Sequence, residues 1–227
     1  MLADVTANPS TAPVRLLSGA ARGAAFFASC ASLVSTEHSY AADEEIYGEG
    51  EPAEYAYEVI RGAVRSYKLL CDGRRQINAF HLPGDLFGLT AGANHRLTAE
   101  AIVGTTIRMV KRKSLDAASR ADSQIACSLF ASTAHDLRHA EDHMLLLGCK
   151  SALEKVASFL LEMDKRLSKS GFIALPMPRR DIGDYLGLTI ETVSRTVTTL
   201  HHGGVVGLSG ARQITLQDRG RLRALSF

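Results

Sequence analysis

Glu191, Ser194 and Arg195 are the residues of this chain best suited to reading a hydrogen-bonding partner, and their i, i+3, i+4 spacing puts them on one face of a helix. A carboxylate accepts from the cytosine amino group, a guanidinium forks onto guanine O6 and N7, and a hydroxyl contacts a base edge or a phosphate. The set suits base edges in a major groove. Val193, Val197 and Leu200 fall at i, i+4 and i+7 and supply the buried stripe of the same helix.

An isolated Glu-x-x-Ser-Arg is ordinarily a solvated helix face, but the preceding residues change that reading. Ile182, Tyr185 and Leu186 give a first helix an apolar side, Gly187 permits a tight turn, Thr189 caps the second helix and Gly203-Gly204 stops it. A helix-turn-helix is expected. After it, Val205–Leu208, the turn Ser209-Gly210 and Arg212–Leu216 read as a short β-hairpin, giving a winged helix-turn-helix. Thr189, Thr192 and Arg212 are the candidate contacts to the DNA backbone beside the three base-reading residues.

These elements need a scaffold, and the chain has length for one. Its 227 residues, 46% hydrophobic and 22% charged, allow two modest cores. The net charge of +2 is divided unevenly: from residue 150 onward 12 Lys/Arg stand against 7 Asp/Glu, a net of +5, leaving −3 for residues 1–149. The basic footprint therefore lies with the helix-turn-helix. The apolar stretch 24–33 is too short, and too rich in Ser and Cys, to span a membrane, so a cytoplasmic chain without membrane contact is expected.

Residues 1–25, rich in Ala, Ser, Thr and Pro, read as a flexible tail. Tyr57–Ile60, Ala63–Leu70, Arg75–Leu82, Thr98–Ile102 and Thr106–Lys111 read as short strands separated by glycine turns, with an Asp72-Gly73 hairpin signal. Such spacing predicts a small barrel or double-sheet roll over 26–113. Residues 115–147 contain neither Gly nor Pro and predict a long helix with a break near Arg120, the dimerisation helix of 114–148. Ala126, Phe130, Thr133, Leu137, Ala140, Met144 and Leu147 follow alternating steps of four and three, an a/d seam for a homodimer. Packing of that face against the roll is the alternative. Ser151 to Glu154 offers a capping box for the next helix, so the winged domain is assigned to 149–227 and the fold class is α+β.

Cys30, Cys71, Cys127 and Cys149 show no zinc-finger spacing, and reduced thiols are expected, with Cys149 at the domain junction the candidate redox residue. His135, His139 and His143 form an i, i+4, i+8 series that reads as a polar flank of the dimer seam, and His81 and His95 stand alone. A metal-dependent β-roll enzyme needs two or three His and a carboxylate converging on one ion, so the chain reads as neither an enzyme nor a holder of metal or cofactor.

From about residue 26 onward these features resemble the CRP/FNR family of bacterial transcription regulators. The resemblance implies an N-terminal β-roll of the cyclic-nucleotide-binding type, a long dimer helix and a C-terminal winged helix-turn-helix. Glu191-Thr192-Val193-Ser194-Arg195 is similar to the FNR-type recognition sequence; the CRP type has an arginine where Ile190 stands. The resemblance further implies a TTGA-N-TCAA-like palindrome read by Glu191, Ser194 and Arg195, a phosphate contact from Arg179, and RNA polymerase as a second partner. Pro83-Gly-Asp-Leu-Phe-Gly-Leu89 and the helix-turn-helix wording are similar to the FixK branch, which implies an activator of low-oxygen genes for microaerobic respiration, denitrification or nitrogen fixation, working without a small-molecule effector.

Two departures bear on that expectation. Cys30 alone lies in the region where FNR-type members cluster the cysteines of an iron–sulfur centre. Leu89 follows Gly88 where cyclic-nucleotide members carry a glutamate, and Leu97 follows Arg96 where they carry Ser or Thr, the hydroxyl being displaced to Thr98. Arg96 remains available for some other anion. A cyclic-nucleotide-responsive regulator with its carboxylate supplied elsewhere is the alternative reading.

Overall fold

A computed structural model describes residues 26–30, 33–167 and 171–226. The tail expected over 1–25 lies outside the described residues. A helical turn, α1 (Phe26–Ser29), precedes eight strands: β1 (Ser35–Tyr40), β2 (Glu45–Tyr47), β3 (Tyr55–Arg61), β4 (Val64–Leu69), β5 (Arg75–His81), β6 (Leu86–Phe87), β7 (Thr98–Ala101) and β8 (Thr105–Lys111). They form two four-stranded antiparallel sheets, ordered β1-β8-β3-β6 and β2-β7-β4-β5. Tyr57, Val59, Phe87 and Ile107 from one sheet meet Tyr47, Val64 and Ala99 from the other, and this closes the expected double-sheet roll.

All five expected strands are present, together with three that the sequence pattern does not announce. β1 reads Ser-Thr-Glu-His-Ser-Tyr, is mostly exposed, and is a strand because it pairs with β8 at the sheet edge, Ser35 opposite Val110 through Tyr40 opposite Thr105. β2 and β6 are three and two residues long, too short to carry a period. The long helix is two: α2 (Arg112–Ala121) and α3 (Ser123–Cys149). The break falls at Asp122, whose extended backbone ends α2 and whose carboxylate caps α3 by accepting from Gln124 N at 2.8 Å.

Helix α4 (Ala152–Leu167) starts with the expected capping box: Ser151 N donates to Glu154 Oε2 at 2.6 Å and Glu154 N to Ser151 Oγ at 3.4 Å. After β9 (Phe172–Ala174) come α5 (Arg179–Leu186), α6 (Ile190–His202), β10 (Val206–Leu208), β11 (Gln213–Leu216) and α7 (Arg219–Ala224). β9 joins the wing hairpin as a third strand, in the order β10-β11-β9. One apolar cluster runs from Ile77, Phe80 and Leu82 of the roll into Val156, Phe159, Ile182 and Tyr185, so roll and helix-turn-helix share a core. Among the described residues no helix is long and apolar enough to cross a membrane.

Candidate nucleic-acid interface

The turn between α5 and α6 is made by two glycines. Gly187 closes α5 in the left-handed region at φ 63°, with its N–H donating to Gly183 O, a conformation that favours glycine. Gly183 lies so close beneath the turn that a Cβ there would stand 2.6 Å from Leu188 O. Only Gly187 is legible from sequence as a turn residue. The signal for Gly183 is its presence in the interior of an otherwise good helix.

Thr189 caps α6 as expected, its hydroxyl oxygen accepting from Thr192 N at 3.2 Å. Val193, Val197 and Leu200 are buried against the domain, while Glu191 and Arg195 are exposed and Ser194 and Thr192 half-buried on the outer side. The helix therefore presents the Glu191, Ser194, Arg195 face outward. The Glu191 backbone N–H and the Thr189 hydroxyl, with Arg195 one turn on, hold the Glu191 carboxyl below the usual carboxylate range. It is an acceptor at neutral pH, as recognition of an amino group requires. Ile190 is also exposed at the first turn.

The backbone-contact candidates lie on α5, at the start of α6 and in the wing. Arg179 is half-buried in the first turn of α5 beside an exposed Arg180, and Arg212 is exposed in the wing turn, where one guanidinium N–H donates to Pro176 O at 3.1 Å. Thr189 is exposed at the N-cap.

On α3, Phe130, Leu137 and Met144 are 76, 61 and 66% exposed at seven-residue intervals. Thr133 and Ala140 are exposed beside them, and Ala126 and Leu147 at the two ends are half-buried, Leu147 against Gly187. The opposite side of α3 corrects the reading of the histidines. His143 is buried: its Nε2 donates to Tyr185 O at 2.9 Å and its ring stacks on that of Tyr185 at 4.0 Å. His139 Nε2 lies 3.1 Å from Glu162 Oε1, which raises the His139 pKa. These two face α4 and α5 of their own chain, so that flank of α3 is packed within the protomer and is not a free polar face.

The segment that would hold a cyclic nucleotide departs from the pattern of such a site, with Leu89 and Leu97 where a carboxylate and a hydroxyl are needed. Leu89 and Arg96 are both exposed. Thr98 Oγ1 already accepts from Glu49 N at 3.1 Å. Arg112 donates to the carbonyls of Gly92 at 3.1 Å, of Ala53 at 2.9 Å, and of Thr90, so the loop turns oxygens to a resident cation where a phosphate needs N–H donors. His95 is buried with its ring stacked 3.6 Å from that of Tyr47, and Tyr57 and Phe87 stack alongside. These four rings stack against one another inside the roll. Among the described residues no group of three or more His, Cys, Asp or Glu could hold a metal ion. Cys149 ends α3 as an exposed thiol, and none of Cys30, Cys71, Cys127 and Cys149 is in a disulfide.

Comparison with known proteins agrees with this architecture. The family model of the Crp-like helix-turn-helix domain matches residues 154–225, and that of the cyclic nucleotide-binding domain matches residues 37–122. The nitrogen fixation regulation protein FixK of Azorhizobium caulinodans is 44% identical over 199 residues, covering 86% of this chain and 80% of that relative. The protein of the same name from Rhizobium meliloti is 42% identical, covering 85% and 87%. The solved structure of FixK2 from Bradyrhizobium japonicum superposes with a TM-score of 0.84 at 66% identity, covering 86% of this chain and 98% of that one.

Proposed function

The chain belongs to the CRP/FNR family of transcription regulators, in its FixK branch, and from that premise we propose that it activates low-oxygen genes, those of nitrogen fixation among them, as an effector-independent homodimer. It is a DNA-binding regulator and not an enzyme. Its operator is a TTGA-N-TCAA-like palindrome, with Glu191, Ser194 and Arg195 reading base edges and Arg179, Thr189, Thr192 and Arg212 holding phosphates. Once on the operator the dimer recruits RNA polymerase. The setting is the cytoplasm.

The exposed Glu191, Ser194, Arg195 face, set opposite the buried Val193, Val197, Leu200 stripe, is the observation that carries the reading. The two α6 helices of a dimer enter successive major grooves, and the exposed Phe130, Leu137, Met144 line supplies the two-fold contact that makes the site a palindrome. The rings stacked inside the roll, the Arg112-bound loop and Leu89 in place of a carboxylate support independence from a nucleotide, since a ligand shifts an equilibrium only through different affinity for the two states.

In vitro selection from random duplexes tests this reading. The purified protein is expected to enrich the TTGA palindrome with equal affinity in the presence and absence of cyclic AMP. A gain of about tenfold on adding the nucleotide, roughly 1.4 kcal/mol of differential binding, would assign it instead to the cyclic-nucleotide-responsive class. The same assay distinguishes the positioning contacts. Arg179→Ala is expected to weaken binding to every sequence alike and to reduce the slope of log K against log salt by about one unit per half-site. A loss confined to TTGA sites would remove Arg179 from the phosphate contacts.

A further inference from the structure

Asp181 stands in the first turn of α5, yet its carboxylate points out of the helix-turn-helix and into the roll. It is 2% exposed. Arg65 Nη1 on β4 donates to its Oδ2 at 2.8 Å, and Arg75 Nη2 on β5 donates to its Oδ1 at 2.5 Å. Arg75 also grips Asp184 one turn on, with Nε at 3.0 Å and Nη2 at 2.8 Å from Oδ2, and lies over the Tyr67 ring. Arg65 is anchored within the roll by Asp43 at 2.7 Å and by Glu100, its cross-strand neighbour on β7. Burial alone would lower the Arg65 pKa, but Asp43, Asp181 and Glu100 outweigh it and raise it, so the guanidinium stays charged.

Buried ion pairs add little net stability over apolar residues of the same shape, and their best-attested use is to fix register. The surroundings here give them that task. Phe80, Phe159, Ile182 and Tyr185 form an apolar contact between roll and α5, which hydrophobic burial stabilises without fixing an angle. Two oxygens of one carboxylate assigned to two different arginines do fix it, both along α5 and in rotation about its axis. The far end of α5 is referred to α3 by the His143 bond to Tyr185 O, and α5 carries α6 through the tight Gly183 to Leu188 contact. A path of directional contacts thus joins the outer face of α6 to α3.

We propose that Asp181, clamped by Arg65 and Arg75, is a positioning residue for DNA recognition: it sets the separation of the two recognition helices and hence the half-site spacing the protein accepts. The proposal rests on the dimeric, palindrome-reading function above. It assigns spacing to the contact between roll and helix-turn-helix, and base identity to α6.

The experiment is a competition among palindromes with identical half-sites and central spacers lengthened or shortened by one base pair at a time, using the full-length protein. Wild type is expected to prefer one spacer. Asp181→Asn, and Arg75→Ala on the less buried partner, are expected to lower that preference by about tenfold while the half-site sequence selected stays the same. The second variant keeps the test decisive if the first does not fold. A merely structural role would lower the folded fraction and reduce binding to all spacers in parallel, so unchanged spacer ratios in a folded variant overturn the proposal. A wild type that binds isolated half-sites as well as palindromes overturns the dimeric reading, and this inference with it.

Discussion

Leu137→Glu is expected to yield a folded monomer that no longer holds its operator. Leu137 is largely exposed in the protomer, its large apolar seam companions Phe130 and Met144 lie a full heptad away on either side, and only the small Thr133 and Ala140 stand between. The substitution therefore places a carboxylate in water as long as the chain is alone, and the fold of α3 has no reason to fail. In the proposed dimer the same position falls in the a/d seam, where each of the two chains would bury an unpaired charge at a cost of about 3–5 kcal/mol. A palindrome bound by two linked half-sites loses its second contact when the dimer dissociates, and with it the gain from effective concentration. Light scattering with circular dichroism reports mass and helix content together. A dimeric Leu137→Glu protein that still binds DNA normally would show that this face of α3 is not the seam.

Loss of base discrimination is the second large effect. Under the proposed readout Arg195→Ala is expected to remove the guanidinium fork from each half-site and Glu191→Ala the carboxylate acceptor, each costing about 1–3 kcal/mol per half-site. Both residues are solvent-facing and neither contributes to the buried stripe, so both variants should fold, Glu191→Ala losing only the contacts of its carboxyl with the N-terminus of α6. The expected signature is a blurred sequence logo at one position for each variant, with the rest of the site retained. Sequencing after binding selection measures this. A sharp, unaltered logo for either variant would take that residue out of base readout.

The recognition face is legible because an amphipathic helix announces its period: Val193, Val197 and Leu200 fix which side is buried, and the polar side is then determined. The strands β3, β4, β5, β7 and β8 are legible for a related reason, being runs of β-formers between glycine turns. β1 is not, since it is a strand through its pairing with β8 and carries polar residues at most positions. The contacts between roll and helix-turn-helix are hidden by sequence distance. Nothing in the sequence joins Asp181 and Asp184 to Arg65 and Arg75, which bond them from more than a hundred residues earlier. The His139 and His143 stripe has the correct period, but a period states that a face is shared and not which neighbour covers it.

The continuous apolar cluster from Phe80 to Tyr185 bears on how such a protein can be recombined. A crossover near residue 150 falls between two helices and looks clean along the chain. In space it separates α5 from the surface moulded to it, leaving Phe80, Arg65 and Arg75 of one parent against Tyr185, Asp181 and Asp184 of another. The heritable unit is then larger than the DNA-binding domain, and a working chimera has to carry both sides of the contact together. The outer face of α6 lies away from that contact, so Glu191 and Arg195 can vary without disturbing anything the roll has to recognise.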